Sequence, residues 1–403
     1  MYMYQVRALD RMHACVAMLC TSLVAQILVS LLLALCAPSD ALTGSWVLTG
    51  RQLPDTSLEH VPVGYFGGNS EPRPAANLDM LAKMRVVSIE KWEGRCWNEC
   101  LANITAGAKQ CSPTCAQEAT MLQTLRAVKG RNPHVVGLFY TNSFMDFEFY
   151  ELHARMAEAG ALLLDANTKE LGTVTNDNGM SGITVFDLAQ PVAQRLWLEL
   201  VANVTATGLA DGIFIDKTGT KVLPSNATGT GWAIQNRDKD SPIAVTEAHA
   251  RQYNAGKAHM LASLPPSAGA WNATMKSIVL KNVEKDPKHM PLKLQSAINS
   301  TLKKTTFAYL KTDDQKTDHD PTDISSACSD DLIAAFLLAL QKGVFLGCNG
   351  WDSRFDLPLG DPVGPMQEGH DGSLSRQFAS GTNVSWFPDR PKGQMGQIVW
   401  AKA

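Results

Sequence analysis

Carboxylates recur where apolar runs stop. Asp216 ends Gly212-Ile213-Phe214-Ile215, Glu90 follows Val86-Val87-Ser88-Ile89, and Glu93 lies just beyond Trp92. Asp165 closes Ala161 to Leu164, and Asp187 stands inside the run from Ile183 to Leu188. Two such groups facing one bond are what acetal hydrolysis needs. One gives a proton to the leaving oxygen, and the other attacks the anomeric carbon or activates water. Flat rings near the same positions, Trp92, Tyr140, Trp232 and Trp351, can stack on the apolar face of a sugar, and Asn142 and Asp352 can take its hydroxyls. Asp216 is the first catalytic candidate because it directly ends the clearest core strand. Glu90 and Glu93 are the candidate proton donors, with Asp165 and Asp187 in reserve; Asp187 stands just before Pro191 and has a cap or a positioning role as its alternative.

Other chemistries find no support. The nine histidines form no His-x3-His or His-Glu-x-x-His pair, so no zinc hydrolase or other metal site is expected. There is no Gly-x-Ser-x-Gly elbow for an esterase. No Gly-x4-Gly-Lys-Ser/Thr loop occurs, and no Gly-x-Gly-x-x-Gly follows the first strand, so neither nucleotide nor cofactor is expected. With 36 Lys plus Arg against 39 Asp plus Glu, the net charge of -3 disfavours a nucleic-acid partner. The acidic run Asp313, Asp314, Asp318, Asp320 and Asp323 lacks EF-hand spacing and reads as a solvated loop. The expected partner is an oligosaccharide or polysaccharide.

The elements that must hold these residues alternate strand and helix. Strands are expected near 61–66, 86–90, 135–140, 161–165, 183–188, 212–216, 277–280, 306–310 and 343–347. Helices are expected at 78–83, 116–129, 144–159, from Pro191, at 246–263 and at 329–341. Pro191 suits the first helical turn, where its missing N–H has no partner to lose. Ser329 caps a strongly apolar helix with Asp330 and Asp331 at its positive end. Apolar strands without alternation are those of a parallel sheet covered on both faces. The pattern predicts an α/β fold, a (β/α)8 TIM-type barrel over 61–354, with a lead-in at 42–60 and a short β-rich C-terminal extension at 355–403.

The amino terminus predicts export. Arg7 and Arg11 precede an uncharged run from Ala14 to Ala37, and Ser39-x-Ala41 offers a cleavage site, so 1–41 reads as a signal peptide. A retained anchor is the alternative, and membrane association is expected only then. Six Asn-x-Ser/Thr sequons follow, at Asn103, Asn203, Asn226, Asn272, Asn299 and Asn383. Outside the leader, Cys96-x3-Cys100 and Cys111-x3-Cys115 suit two short helices in an insert at 96–115, paired Cys96 to Cys115 and Cys100 to Cys111. Four thiolates could hold zinc instead, but in an exported chain disulfides are favoured. Cys328 and Cys348 bracket the apolar helix and are the natural third pair. The expected location is secreted or cell surface.

The segment Val185-Phe-Asp-Leu-Ala-Gln-Pro-Val-Ala-Gln-Arg-Leu-Trp, followed by Gly208-Leu-Ala-Asp-Gly-Ile-Phe-Ile-Asp216, resembles a pattern shared by barrel glycoside hydrolases. In these a strand ends in Asp, an Asn-Pro-like helix start follows, and a later Asp-Gly-x-x-x-Asp strand delivers a catalytic or sugar-binding Asp. Gln190 stands where Asn is commoner. The tail Pro358-Leu-Gly-Asp-Pro-Val-Gly-Pro, then Ser375-Arg-Gln-Phe-Ala-Ser-Gly-Thr-Asn-Val, also resembles the end of poorly characterised glycoside-hydrolase-like (β/α)8 barrels. With Phe66-Gly-Gly, the likeness touches 61–385 in pieces. It implies a glycoside hydrolase cleaving O-glycosidic bonds with Asp216 in its site. A carbohydrate-binding or cell-surface protein on a barrel without hydrolysis is the alternative.

Overall fold

The structure, a computed structural model, describes residues 45–48, 54–69, 71–94, 116–174, 182–218, 220–224, 234–236, 243–264, 273–279, 286–303, 307–311, 328–348 and 350–402. The expected leader, the four cysteines of the 96–115 insert, Trp232, and the sequon residues Asn103, Asn226 and Asn272 lie outside these.

In chain order the elements are β1 Ser45–Leu48, β2 Val63–Gly67, α1 Ala75–Leu81, β3 Val86–Ile89, α2 Gln117–Arg131, β4 Val136–Asn142, β5 Met145–Asp146, α3 Glu151–Glu158, β6 Gly172–Val174, β7 Ile183–Val185, α4 Pro191–Ala206 and β8 Gly212–Asp216. There follow β9 Gln235–Asn236, α5 Glu247–Ala262, β10 Ala273–Val279, α6 Met290–Leu302, β11 Phe307–Lys311, α7 Asp330–Ala339, β12 Val344–Gly347, β13 Gln367–Glu368, β14 Leu374–Gln377, β15 Asn383–Trp386 and β16 Gly396–Val399.

The fold is α/β. Parallel pairings join β10, β11, β12, β2, β3, β4 and β8 into one curled sheet flanked by helices. β1 lies antiparallel between the first and last of these strands, Trp46 level with Met275 on one side and Phe214 on the other. The expected eightfold repeat of parallel strands is therefore not what the described residues form. The edge between β8 and β10 is covered by a strand from the expected lead-in, which leaves no unpaired edge there.

Two expected barrel strands belong elsewhere. Ile183–Val185 pairs antiparallel with Met145–Asp146 and with Gly172–Val174, which in turn pairs with β9. The 161–165 run makes only isolated bridges, Leu162 to Phe186 and Leu164 to Leu171. These segments form a small separate sheet, three of whose strands follow β4 in the chain and the fourth β8. Short apolar runs read alike in either kind of sheet, because burial rather than strand direction sets their composition. The helix expected from Phe144 begins only at Glu151. Asn142 accepts the N–H groups of Phe144 and Met145 through its side-chain oxygen, at 2.8 Å each, and turns the chain before a helix can start. Phe144, Phe147, Phe149 and Tyr150 are then buried in the core.

The inside of the curl follows from register. Phe66, Ser88, Leu138 and Gly212 stand level across β2, β3, β4 and β8, and higher up Tyr140 pairs with Phe214 and Asn142 with Asp216. Alternate residues of a strand share a face. Phe66 meets Phe214 edge-on at 4.6 Å, and Tyr140 stacks on Phe214 at 5.6 Å. Lower down, Tyr309 fills the interior over Gly347, where an added Cβ would stand 2.5 Å from the phenol oxygen. The interior is thus a packed core, open to chemistry only at the carboxyl ends of its strands.

The C-terminal sheet has the antiparallel order β13-β14-β15-β16. It is tied to α7 by Arg376, which donates to the carbonyls of Leu338 and Leu340 at 2.8 and 2.7 Å, and by the Gly396 N–H on Asp331. Ser329 caps α7 through Leu332 N–H, as its sequence predicts. Cys328 and Cys348 form the expected disulfide, with Cα atoms 5.5 Å apart.

Candidate active site

β4 and β8 run level, so Asn142 and Asp216 emerge side by side. Tyr140, fully buried two residues below Asn142, donates its hydroxyl to Asp216 Oδ2 at 2.9 Å. Asn142 Nδ2 reaches the same oxygen at 3.4 Å, and Lys217 N–H donates to Asp216 Oδ1 at 2.8 Å. Burial, then the charges of Asp216 and Glu90, push the Tyr140 hydroxyl well above its ordinary pKa, so it stays a donor.

Glu90 follows β3 on the neighbouring strand. Lys91 Nζ lies 3.3 Å from Glu90 Oε1 and 3.3 Å from the Tyr140 hydroxyl. With the 2.9 Å contact from Tyr140 to Asp216, these links bound the distance from Glu90 Oε1 to Asp216 Oδ2 at 9.5 Å. The Lys91 ammonium also faces the rings of Tyr140 at 4.4 Å and Trp92 at 4.5 Å. Trp92 and Tyr140 are therefore buried walls and not open stacking platforms.

Glu93 has a different setting. Arg73 grips it bidentately, Nε to Oε1 and Nη2 to Oε2 at 2.8 Å each, with both side chains 3% exposed. Thr124 Oγ1 and the Asn69 N–H donate to it as well, at 2.8 and 2.9 Å. Burial works against the charge of Arg73, but the Glu93 carboxylate outweighs it and holds the guanidinium above its ordinary value. Four donated hydrogen bonds from Arg73, Thr124 and Asn69 leave this carboxylate occupied by the protein itself.

The remaining candidates divide. Asp165 Oδ1 accepts the N–H groups of Asn167 and Thr168, and its Oδ2 that of Ala244. These bonds, from Thr168 and Ala244 foremost, hold the carboxyl below its ordinary pKa. Asp187 accepts from Gln190 Nε2 at 2.8 Å and pairs with His249 Nε2 at 2.9 Å. Neither touches the Asp216 group through these bonds. Trp351 donates to Asp356 and lies under Lys83, while Asp352 caps the short turn at Ser353–Asp356 and pairs with Arg354. Their partners too are other than Tyr140 and Asp216.

Sequence reasoning passed over two lysines. Lys91 adjoins a candidate, and its place between Glu90 and Trp92 was the available signal. Lys257, buried on α5, donates to the carbonyls of Lys217 at 2.5 Å and Thr220 at 2.9 Å. It holds the turn after Asp216, where Lys217 has a left-handed φ of 58°. Burial pushes its ammonium down to about 7 against the pull of the Asp216 carboxylate. Nothing in the spacing of α5 announces it. Among the described residues no group of three or more His, Cys, Asp or Glu is placed to hold a metal ion, and no helix is long and apolar enough to cross a membrane.

No curated protein matches the chain. Solved structures that resemble it include a GH31 family sulfoquinovosidase from E. rectale, at 13% identity and TM-score 0.29, over 65% of this chain and 32% of that one. A cycloisomaltooligosaccharide glucanotransferase from Paenibacillus sp. matches at 12% identity and TM-score 0.33, over 86% and 54%. A xylosidase from Aspergillus niger matches at 13% and 0.29, over 63% and 32%. The chain thus spans between a third and a little over half of these proteins. The family described as hypothetical glycosyl hydrolase family 15 matches residues 129–382, from the end of α2 through β8 and Asp216 to the C-terminal sheet, and the chain belongs to that family.

Proposed function

We propose that this protein is an exported glycoside hydrolase that cleaves an O-glycosidic bond, with Asp216 as nucleophile or general base. The observation that carries the reading is the linked set Asp216, Tyr140, Lys91 and Glu90 at the carboxyl ends of β8, β4 and β3. A fixed phenol donor and Lys217 N–H hold the Asp216 carboxylate in place, as an attacking group must be held. Glu90 is the first candidate for proton donor. A separation of up to 9.5 Å from Asp216 spans both retaining and inverting geometries. Export rests on the leader, the Cys328–Cys348 disulfide and the sequons; the described ones, Asn203, Asn299 and Asn383, are all exposed.

A second reading, a carbohydrate-binding protein without hydrolysis, is favoured by one observation. Lys91 Nζ stands between Glu90 and the Tyr140–Asp216 pair, in space a proton donor would need. The test is kcat/KM on a panel of aryl glycosides and oligosaccharides for the wild type, Asp216→Asn and Glu90→Gln. Hydrolysis predicts loss of turnover by about 10³-fold or more in Asp216→Asn. The donor variant should be slowed far more on oligosaccharides than on activated aryl glycosides, which need little protonation. Turnover unchanged in Asp216→Asn would remove Asp216 from the mechanism. Absence of turnover across the panel, with glycan binding retained, would establish the second reading.

A further inference from the structure

A cavity of about 270 Å³ lies between the small sheet and the start of α5. Its polar lining is Asp165, Lys169, Asp187, Gln190, Thr246 and His249, and its apolar wall includes Leu162, Leu164 and Val245. None of Tyr140, Asn142, Asp216 or Lys217 lines it. We propose that this cavity is a second site on the protein, one that binds a single neutral sugar ring through the Asp187–His249 pair.

The cavity is built by specific contacts. Asp165 ties the 166–169 turn to Ala244 through its two oxygens, joining two walls. Lys169 in that turn has a left-handed φ of 63°, a conformation that costs a residue with a side chain about 1 kcal/mol or more. Gly256 lets α5 approach the Leu188 carbonyl; an added Cβ there would stand 1.9 Å from that oxygen. The same approach places His249 on Asp187.

Its chemistry selects the ligand class. Asp165 takes three backbone N–H groups, and Lys169 Nζ gives one of its three N–H bonds to the Ala166 carbonyl at 3.0 Å, so Asp165 is largely satisfied and Lys169 partly engaged. Asp187 already takes His249 and the Ala189 N–H on Oδ1 and Gln190 on Oδ2, which leaves no pair of open carboxylates for a metal cation. A phosphate would face two carboxylates with one engaged lysine. What remains open is one lone pair on Asp187 Oδ2, the carbonyl oxygen of Gln190 and the Nδ1 lone pair of a part-exposed imidazole whose Nε2–H is held by the Asp187 carboxylate. Beside them lies an apolar wall whose rim residue Leu164 is 41% exposed. Three acceptors for hydroxyl protons beside an aliphatic face match a pyranose ring. The volume falls below the range for drug-sized ligands, so one ring is held. In the hydrolase reading, on which this role rests, the site anchors a remote unit of the substrate and adds binding energy away from the reacting bond.

The experiment is saturation-transfer NMR on the full mature chain with methyl glucosides, galactosides, mannosides and N-acetylglucosaminides. Concentrations run to about 20 mM, well above the 1 mM dissociation constant of a 4 kcal/mol contact. A saturable signal should persist in Asp216→Asn and fall at least tenfold in His249→Ala and in Leu164→Glu, whose exposed position spares the fold. Binding lost in Asp216→Asn but kept in both cavity variants would overturn the proposal. So would the absence of saturable binding by any of these glycosides, or displacement of a bound glycoside by inorganic phosphate. Because Asp216→Asn is read for binding here and for turnover above, the two proposals fail separately: His249-dependent binding without turnover would leave this one standing.

Discussion

Replacing Glu93 by glutamine should unfold the protein more easily without addressing the chemistry at Asp216. The carboxylate and the Arg73 guanidinium are both 3% exposed and joined by two 2.8 Å hydrogen bonds. Glutamine keeps one acceptor but removes the charge, so the Arg73 guanidinium is left buried without its counter-ion, among neutral partners that include Asn77 Oδ1 and the Tyr65 hydroxyl. Breaking one side of such a pair costs about 3–5 kcal/mol. At roughly 2.1 cal/mol/K of unfolding entropy per residue, a folded part of about 360 residues would lose about 4–7 °C in Tm. Calorimetry at pH 7 is the assay, with Glu247→Gln as the comparison, since Glu247 pairs with Arg251 on an exposed face of α5 and its loss should shift Tm by less than about 2 °C. The double replacement Arg73→Met with Glu93→Met removes both charges and should be less destabilised than the sum of its single variants by about 2 kcal/mol or more. Additive single effects, or a Glu93→Gln loss below about 1 °C, would refute the argument that this pair is scaffold. A stable Glu93→Gln protein without turnover would return Glu93 to the mechanism.

Three further outcomes are expected. Folded Lys257 releases its proton at about 7 while the unfolded chain holds it to about 10.5, so the unfolded state binds more protons between these values and stability rises with pH there. The wild type should gain about 1.4 kcal/mol per pH unit relative to Lys257→Met in that window, read from urea unfolding; parallel pH profiles would refute the buried ammonium. Glu118 is the opposite case: burial pushes it up to about 7 against the N–H groups of Glu151 and Leu152, so stability falls as pH rises from about 4.5 to 7, and Glu118→Gln should flatten that slope in the same assay. Removing the Cys328–Cys348 bond, which closes a separation of 20 residues, should cost about 3 kcal/mol, and an unchanged unfolding midpoint for Cys328→Ser with Cys348→Ser would contradict it.

Much of the frame was legible because it is written in local patterns. The cap at Ser329, the Pro191 start of α4 and the apolar runs of β3 and β8 need only neighbouring residues to be understood. The Asp216 position was legible for the same reason, as a carboxylate ending a strand buried along its apolar length. The disulfide followed from counting cysteines around one helix. What required the tertiary structure was every question of which distant groups meet. Composition could not separate Ile183–Val185 from a barrel strand, because a strand in a small antiparallel sheet and one in the barrel bury the same side chains. Nor could it place β1 beside β8, since that pairing joins residues far apart in sequence through backbone bonds that carry no side-chain signature. Glu90 and Glu93 are three residues apart with the same chemistry. Only the fold brings Arg73 from the start of α1 to one of them and Tyr140 with Asp216 toward the other, and a carboxylate's role is set by the charges and donors that surround it.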